Sequence, residues 1–210
     1  PPVPLEEEMR RVLPFVQAAV QFGVPISVDT YKAQVMQAVL DAGADIINDV
    51  WALRQPGAQS VVASHPQCGV VLMHMHKTPQ DMQQTPMQGD AVAQVQNFLA
   101  QQTQALLALG VERQRIVWDY GIGFGKTVAQ NFALLAHQAA LTGQGFALLA
   151  GWSRKSSLGQ VTNRPVEERM VPSVAAAVLA VERGASVVRV HDVRETVAAL
   201  AVWSAMQRSG

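Results

Sequence analysis

Six short apolar runs, each closing near a residue with chemistry to offer, constrain the fold of this chain more than any other feature. They read PISVDT (25–30), DIINDV (45–50), GVVLMHM (69–75), RIVWDYG (115–121), FALLAG (146–151) and SVVRVHD (186–192). Rich in β-branched residues and bounded by polar or glycine turns, each is predicted to be a strand. Helical patterns fill the intervals: Val35, Met36, Val39 and Leu40 share one helical face, and AVAQVQNFLAQQTQALLALG stops at Gly110. Ahead of the first strand, Leu5, Met9, Val12, Leu13, Val16 and Val20 form one more stripe, with Pro14 as its expected kink. Strands this continuously apolar are covered on both faces, so the sheet is expected to be parallel.

Two parallel architectures compete, a doubly wound open sheet and an eight-stranded barrel of about 250 residues. The polar residues decide between them. Asp29, Asn48, His74, Asp119, the Ser153-Arg154-Lys155 step, Arg189 and His191 all fall at or just beyond C-terminal strand ends. A barrel gathers such ends around one mouth, whereas an open sheet leaves several far from its crevice. The expected fold is therefore α/β, a (β/α)8 TIM barrel with about six of its eight βα units in residues 1–210 as a single domain. The chain opens without methionine in PPVPLEEEMRRV, already in a proline-marked loop, and two further strands are expected ahead of it.

Charge and composition exclude several functions. Sixteen basic and sixteen acidic residues cancel, so no global field gathers nucleic acid or an anionic membrane, and neither is expected as a partner. The longest apolar stretch, VAAAVLAV at 174–181, falls far short of the ~20 residues that span a bilayer. The single cysteine, Cys68, has no partner for an internal disulfide, which fits a cytoplasmic protein.

The most distinctive stretch is DYGIGFGKT at 119–127. A P-loop requires glycine where Tyr120 stands, and a dinucleotide fingerprint requires glycine where Lys126 stands. Both nucleotide readings fail by one residue. Asp29 and Asp119 each follow an apolar run, where a carboxylate is either a turn-former or a ligand group; two at barrel strand ends favour the second. Asn48 and Asp49 point opposite ways by strand alternation, so Asn48 is given the mouth and Asp49 a capping role. Arg189 and His191 share a face, and an inward arginine needs an anion, so the pair reads as a phosphate or pyrophosphate clamp. Lys155 and its neighbouring hydroxyls in GWSRKS extend that polar ring. His74 and His76 stand at a metal-ligand spacing that, with His191 and Asp192, suggests a hydrolase site, yet no further residue falls at a recognisable ligand spacing. The proline-punctuated loop KTPQDMQQTPMQGD (77–90) reads as a lid or a connector.

Taken together, ISVDT, GADIINDV, VVLMHMH, DYGIGFGK, GWSRKS and GASVVRVHDVRETV, in this order and spacing, resemble the dihydropteroate synthase family from about residue 5 to the end. The resemblance implies condensation of 6-hydroxymethyl-7,8-dihydropterin diphosphate with 4-aminobenzoate, assisted by Mg2+, in an enzyme that is commonly a homodimer. It implies that Asp119 accepts two parallel hydrogen bonds from the pterin edge, with Asn48 and Asp29 completing that recognition. Val50 and Met73 would line the ring's apolar surroundings, and the glycines around Gly123 would let backbone approach it. Lys155 would meet the pterin's polar edge, Arg189 would cover the ring and hold the diphosphate with His191, and Ser153 and Phe124 would lie toward the 4-aminobenzoate. Gly151, opening GWSRKS, joins the substrate-binding set.

The sequence departs from the family at Tyr120, where proline is usual; its phenol is expected to reach toward the mouth. The family's Mg2+ ligand and a diphosphate-binding Thr-Arg pair belong to its first two strands and are not found in these residues. Two alternatives stand beside this reading: a methyltransferase-type pterin-binding barrel, and a metal-dependent TIM-barrel hydrolase using His74 and His76.

Overall fold

The computed structural model describes residues 2–78, 81–82 and 84–209. Packing divides the chain into two compact units, Pro1–His74 with Phe98–Trp118, and Met75–Asn97 with Asp119–Gly210. All six predicted strands are present and alternate with helices, the α/β pattern of a (β/α)8 barrel. In chain order the elements are α1 (Leu5–Ala19), β1 (Ser27–Asp29), α2 (Ala33–Asp41), β2 (Ile46–Asp49), α3 (Ala58–Ser64), β3 (Gly69–Met73), α4 (Ala91–Ala108) and β4 (Ile116–Asp119). There follow α5 (Val128–Ala136), α6 (Ala139–Thr142), β5 (Ala147–Ala150), α7 (Ser156–Thr162), α8 (Met170–Glu182), β6 (Val187–Val188) and α9 (Val193–Gln207).

In the first unit the strand order follows the chain, β1-β2-β3-β4. Parallel register sets Asp29 beside Asn48 and Asn48 beside Val71. Apolar alternation gives way to continuous burial, as expected of a doubly covered sheet: Ile47, Val70, Leu72 and Met73 are all inaccessible to solvent. The helical stripe predicted around residue 35 is buried along α2, with Val35, Met36 and Val39 wholly enclosed. On β4, the buried Trp118 donates its indole N–H to Thr103 Oγ1 of α4 at 2.8 Å, giving the ring's one polar atom a partner. Pro14 lies within α1, which continues past it to Ala19.

In the second unit β5 and β6 pair in parallel, Leu149 with Val187 and Ala150 with Val188. Helix α8 buries Ser173, Ala176, Ala177 and Ala180 at i, i+3, i+4 and i+7, small side chains that permit close packing. Helix α5 starts at Thr127, whose Oγ1 accepts the Gln130 N–H while the Gln130 side chain accepts the Thr127 N–H. That reciprocal cap satisfies two of the donors every helix start leaves open. In the loop read at 77–90, Pro79, Gln80 and Gln83 lie outside the described residues.

Candidate functional site

In the first unit, the polar group is built at the ends of β1 and β2. Asn48 is buried and donates from Nδ2 to Asp29 Oδ2 at 3.1 Å, while its backbone carbonyl accepts the Thr30 N–H. Among the described residues no donor reaches Asn48 Oδ1, which is also buried. An amide oxygen left open this way is set to accept from a ligand N–H. Asp49, its neighbour, points the other way and accepts the N–H groups of Trp51 and Leu53, both at 2.8 Å. Strand alternation thus points the two side chains opposite ways, as the sequence suggested. Burial pushes the Asp49 carboxyl up to about 6, against those two N–H groups. Val50 is half-buried beyond the strand, and Met73 ends β3 fully enclosed. The His74 ring stands edge-to-face on Phe98, 5.0 Å between centroids.

In the second unit, Asp119 ends β4 and opens a turn containing Gly121, Gly123 and Gly125, all at positive φ. Gly125 has a second reason to be glycine: an added Cβ would stand 2.7 Å from His76 Cβ and 2.8 Å from its backbone oxygen. Asp119 Oδ1 accepts the Gly121 N–H at 2.7 Å. Its Oδ2 is buried and, among the described residues, no donor reaches it. Burial drives the Asp119 carboxyl upward, opposed by the Gly121 N–H and by the charges of Arg189, Lys155 and Lys126. A planar ligand edge with two N–H donors would add hydrogen bonds that favour the ionised form.

The cations around it are held by packing. Lys155 Nζ lies 4.4 Å from the Phe124 ring centroid, a cation–π contact. Arg189 continues β6 through its N–H to the Ala150 carbonyl, and a Cβ on Gly151 would come within 3.2 Å of its guanidinium. Gly151 is the space that this guanidinium occupies. Ser153 Oγ accepts the His191 backbone N–H at 3.1 Å and stands 2.8 Å from His191 Nδ1. When the hydroxyl donates to Nδ1, the ring proton sits on Nε2, available to an anion. Between Ser153 and Lys155, Arg154 adopts φ 58°, secured by its ion pair with Asp192 at 2.7 Å and by its N–H to Ser173 Oγ.

Two residues that hold this turn were not apparent from the sequence. Asn131, buried on α5, accepts the Gly123 N–H at 3.0 Å and donates to Ser157 Oγ at 2.9 Å. A lone asparagine among Phe132, Leu134 and Leu135 was the available signal. Lys126 is the other, buried with its ammonium on the carbonyls of Gly121 and Phe124.

A family model described as pterin binding enzyme matches residues 1–191. The dihydropteroate synthase of Neisseria meningitidis serogroup B is 44% identical, over 96% of this chain and 72% of its own length. The chain belongs to the dihydropteroate synthase family. Among solved structures, Burkholderia cenocepacia dihydropteroate synthase complexed with 7,8-dihydropteroate matches with a TM-score of 0.93 and 51% identity, over all of this chain and 77% of that one. Xanthomonas albilineans dihydropteroate synthase with 4-aminobenzoic acid matches with a TM-score of 0.91 and 48% identity, over 98% of this chain and 76% of that one.

Tyr120 corrects the expectation that its phenol reaches the mouth. It is fully buried, its hydroxyl donating to Gln138 Oε1 at 3.1 Å and accepting the Trp152 indole N–H at 3.0 Å. Gln138 continues the chain to the Ala180 carbonyl at 2.8 Å, so every partner is satisfied internally. The cause is again alternation: with Asp119 on one face, its neighbour must take the other. Among the described residues no three His, Cys, Asp or Glu side chains group to hold a metal ion. No described helix is long and apolar enough to cross a membrane.

Proposed function

We propose that this enzyme, a transferase of folate biosynthesis, condenses 6-hydroxymethyl-7,8-dihydropterin diphosphate with 4-aminobenzoate, releasing pyrophosphate and 7,8-dihydropteroate. The observation that carries the reading is Asp119: a buried carboxylate with one oxygen on Gly121 and the other open, beside a turn of three positive-φ glycines. A pterin presents the complementary fork, N3–H and the 2-amino group. In the first unit, Asn48 Oδ1 and the Asp29 carboxylate are the acceptors that the family resemblance assigns to the same pterin edge. Val50 and Met73 supply apolar surface, and Lys155 a cation for the pterin's carbonyl edge.

In the reaction the methylene C–O bond to diphosphate breaks, and its electrons leave with the diphosphate. The pterin-stabilised cation is attacked at the methylene carbon by the amine of 4-aminobenzoate, which then loses a proton. No side-chain nucleophile is required. Arg189 and His191 would take the departing negative charge, the arginine through its planar fork and the histidine through Nε2–H. Ser153 orients that histidine by its contact with Nδ1. Asp119 would stabilise the cation while fixing its plane. Ser153 and Phe124 would border the 4-aminobenzoate, with Gly123 and Gly151 leaving the room that flat rings and the arginine need.

Magnesium belongs to this proposal as the counter-ion of the diphosphate, a hard cation that one or two protein oxygens together with phosphate oxygens suffice to hold. A homodimer is the proposed assembly, supported by an apolar groove of about 830 Å3 whose lining includes Val161, Val171 and Leu179. The protein is placed in the cytoplasm, where its single, buried Cys68 suits a reducing medium. The test is pyrophosphate release from the pterin diphosphate with and without 4-aminobenzoate. Release that requires the amine and yields dihydropteroate is expected; a methyltransferase-type barrel would bind the pterin yet ignore the amine, and that result would overturn the assignment.

A further inference from the structure

The motif GKT, which fails as a P-loop, acquires a different role in three dimensions. A P-loop lysine extends toward a bound phosphate. Lys126 instead turns back on its own loop, donating to the Gly121 carbonyl at 2.9 Å and to the Phe124 carbonyl at 3.3 Å. Only 6% of its surface is accessible, an unusual position for a lysine. Both carbonyls belong to groups already tied to the candidate site. Gly121 is the residue whose N–H fixes Asp119 Oδ1, and Phe124 is the ring on which Lys155 rests. One ammonium thus spans both ends of the turn, while Asn131 holds its middle through the Gly123 N–H.

We propose that Lys126 is a positioning residue that locks the Gly121–Phe124 turn and, through Gly121, aims the Asp119 carboxylate at the pterin edge. This rests on Asp119 as the pterin acceptor. The ammonium does this in two separable ways: its hydrogen bonds fix the loop, and its positive charge favours the ionised carboxylate. The charged groups that act on Asp119 are Arg189, Lys155 and Lys126, and His76 also feels Lys126. Burial in turn lowers Lys126 itself to about 7, with Asp119 pulling it back up and Lys155 opposing.

The experiment is calorimetric titration of pterin diphosphate into the wild-type protein, Lys126→Met and Lys126→Gln, from pH 5 to pH 9, with folding checked by circular dichroism. Methionine removes both contributions, whereas glutamine keeps a donor for the carbonyls and removes only the charge. Both variants are expected to move the acid limb of binding upward by about one pH unit, as loss of a nearby opposite charge does. At pH 8 Lys126→Met should bind about tenfold more weakly than wild type, and Lys126→Gln should recover most of that loss. A folded variant whose acid limb coincides with wild type would overturn the proposal, and so would failure of both variants to fold, which would make Lys126 a folding residue. Absence of binding to wild type would instead strike at the pterin reading itself.

Discussion

Two strand-end turns in this protein reach the left-handed region of backbone space by opposite means. After β4, in the second unit, Gly121, Gly123 and Gly125 take φ of 66°, 83° and 72°. After β2, in the first, it is Ala52 and Leu53 that do so, at 51° and 58°, both buried. Glycine adopts that conformation without steric penalty, whereas an alanine or leucine loses roughly 1–2 kcal/mol each. The second turn is offset by Asp49, whose two oxygens grip the N–H groups of Trp51 and Leu53. The lesson is that a strained turn held by a carboxylate is filled with its own side chains, while a glycine turn leaves backbone bare beside Asp119. Only the latter suits the approach of a flat ring.

The largest effect that would break this contrast belongs to Asp119. Asp119→Asn replaces one acceptor with a donor facing the ligand's own N–H, and pterin affinity should fall by about a hundredfold or more in titration calorimetry. Affinity within a few-fold of wild type would remove the residue from recognition. Next comes Gly125→Ala, which faces both a positive φ and the His76 backbone. A loss of about 3 kcal/mol is expected in urea unfolding. Its counterpart, Ala52→Gly, should change stability by less than about 1 kcal/mol, since relief of the left-handed strain offsets the lost methyl. A large loss there would mean that the methyl group, not the backbone, governs the β2 turn.

The carboxylate half of the comparison is tested by pH. Between its ordinary 3.8 and about 6, Asp49 keeps its proton in the folded protein and releases it in the unfolded chain. The folded state therefore binds more protons in this window, and stability falls as pH rises through it, by on the order of 3 kcal/mol. Asp49→Asn should flatten most of that slope in unfolding curves taken from pH 4 to pH 7. A slope of the same sign should remain from Asp119, which burial also shifts upward. An unchanged slope in the variant would show that Asp49 does not titrate in this range.

The sequence disclosed strands through their β-branched runs, and every predicted strand formed. Their ends were overrun: SVVRVHD suggested seven residues, and β6 keeps two, with Arg189 just beyond it still donating its N–H to the Ala150 carbonyl. Period-two reasoning separated Asn48 from Asp49 correctly. The same rule, applied to Asp119 and Tyr120, buries the tyrosine, whereas the proline usual at that position in the family suggests an open loop. Lys126 and Asn131 were illegible for a different reason. Each reaches backbone atoms of the glycine turn, and no spacing in a sequence says which carbonyl a buried ammonium will find.

The most direct measurement is a crystal structure of the protein with the pterin diphosphate bound. Asp119 Oδ2 and its companion oxygen are expected within ~3.2 Å of the pterin N3 and 2-amino nitrogens. Gly121 should keep its contact, and Arg189 and His191 should meet the diphosphate. A pterin bound with its amino edge away from Asp119, leaving Oδ2 still without a donor, would contradict it.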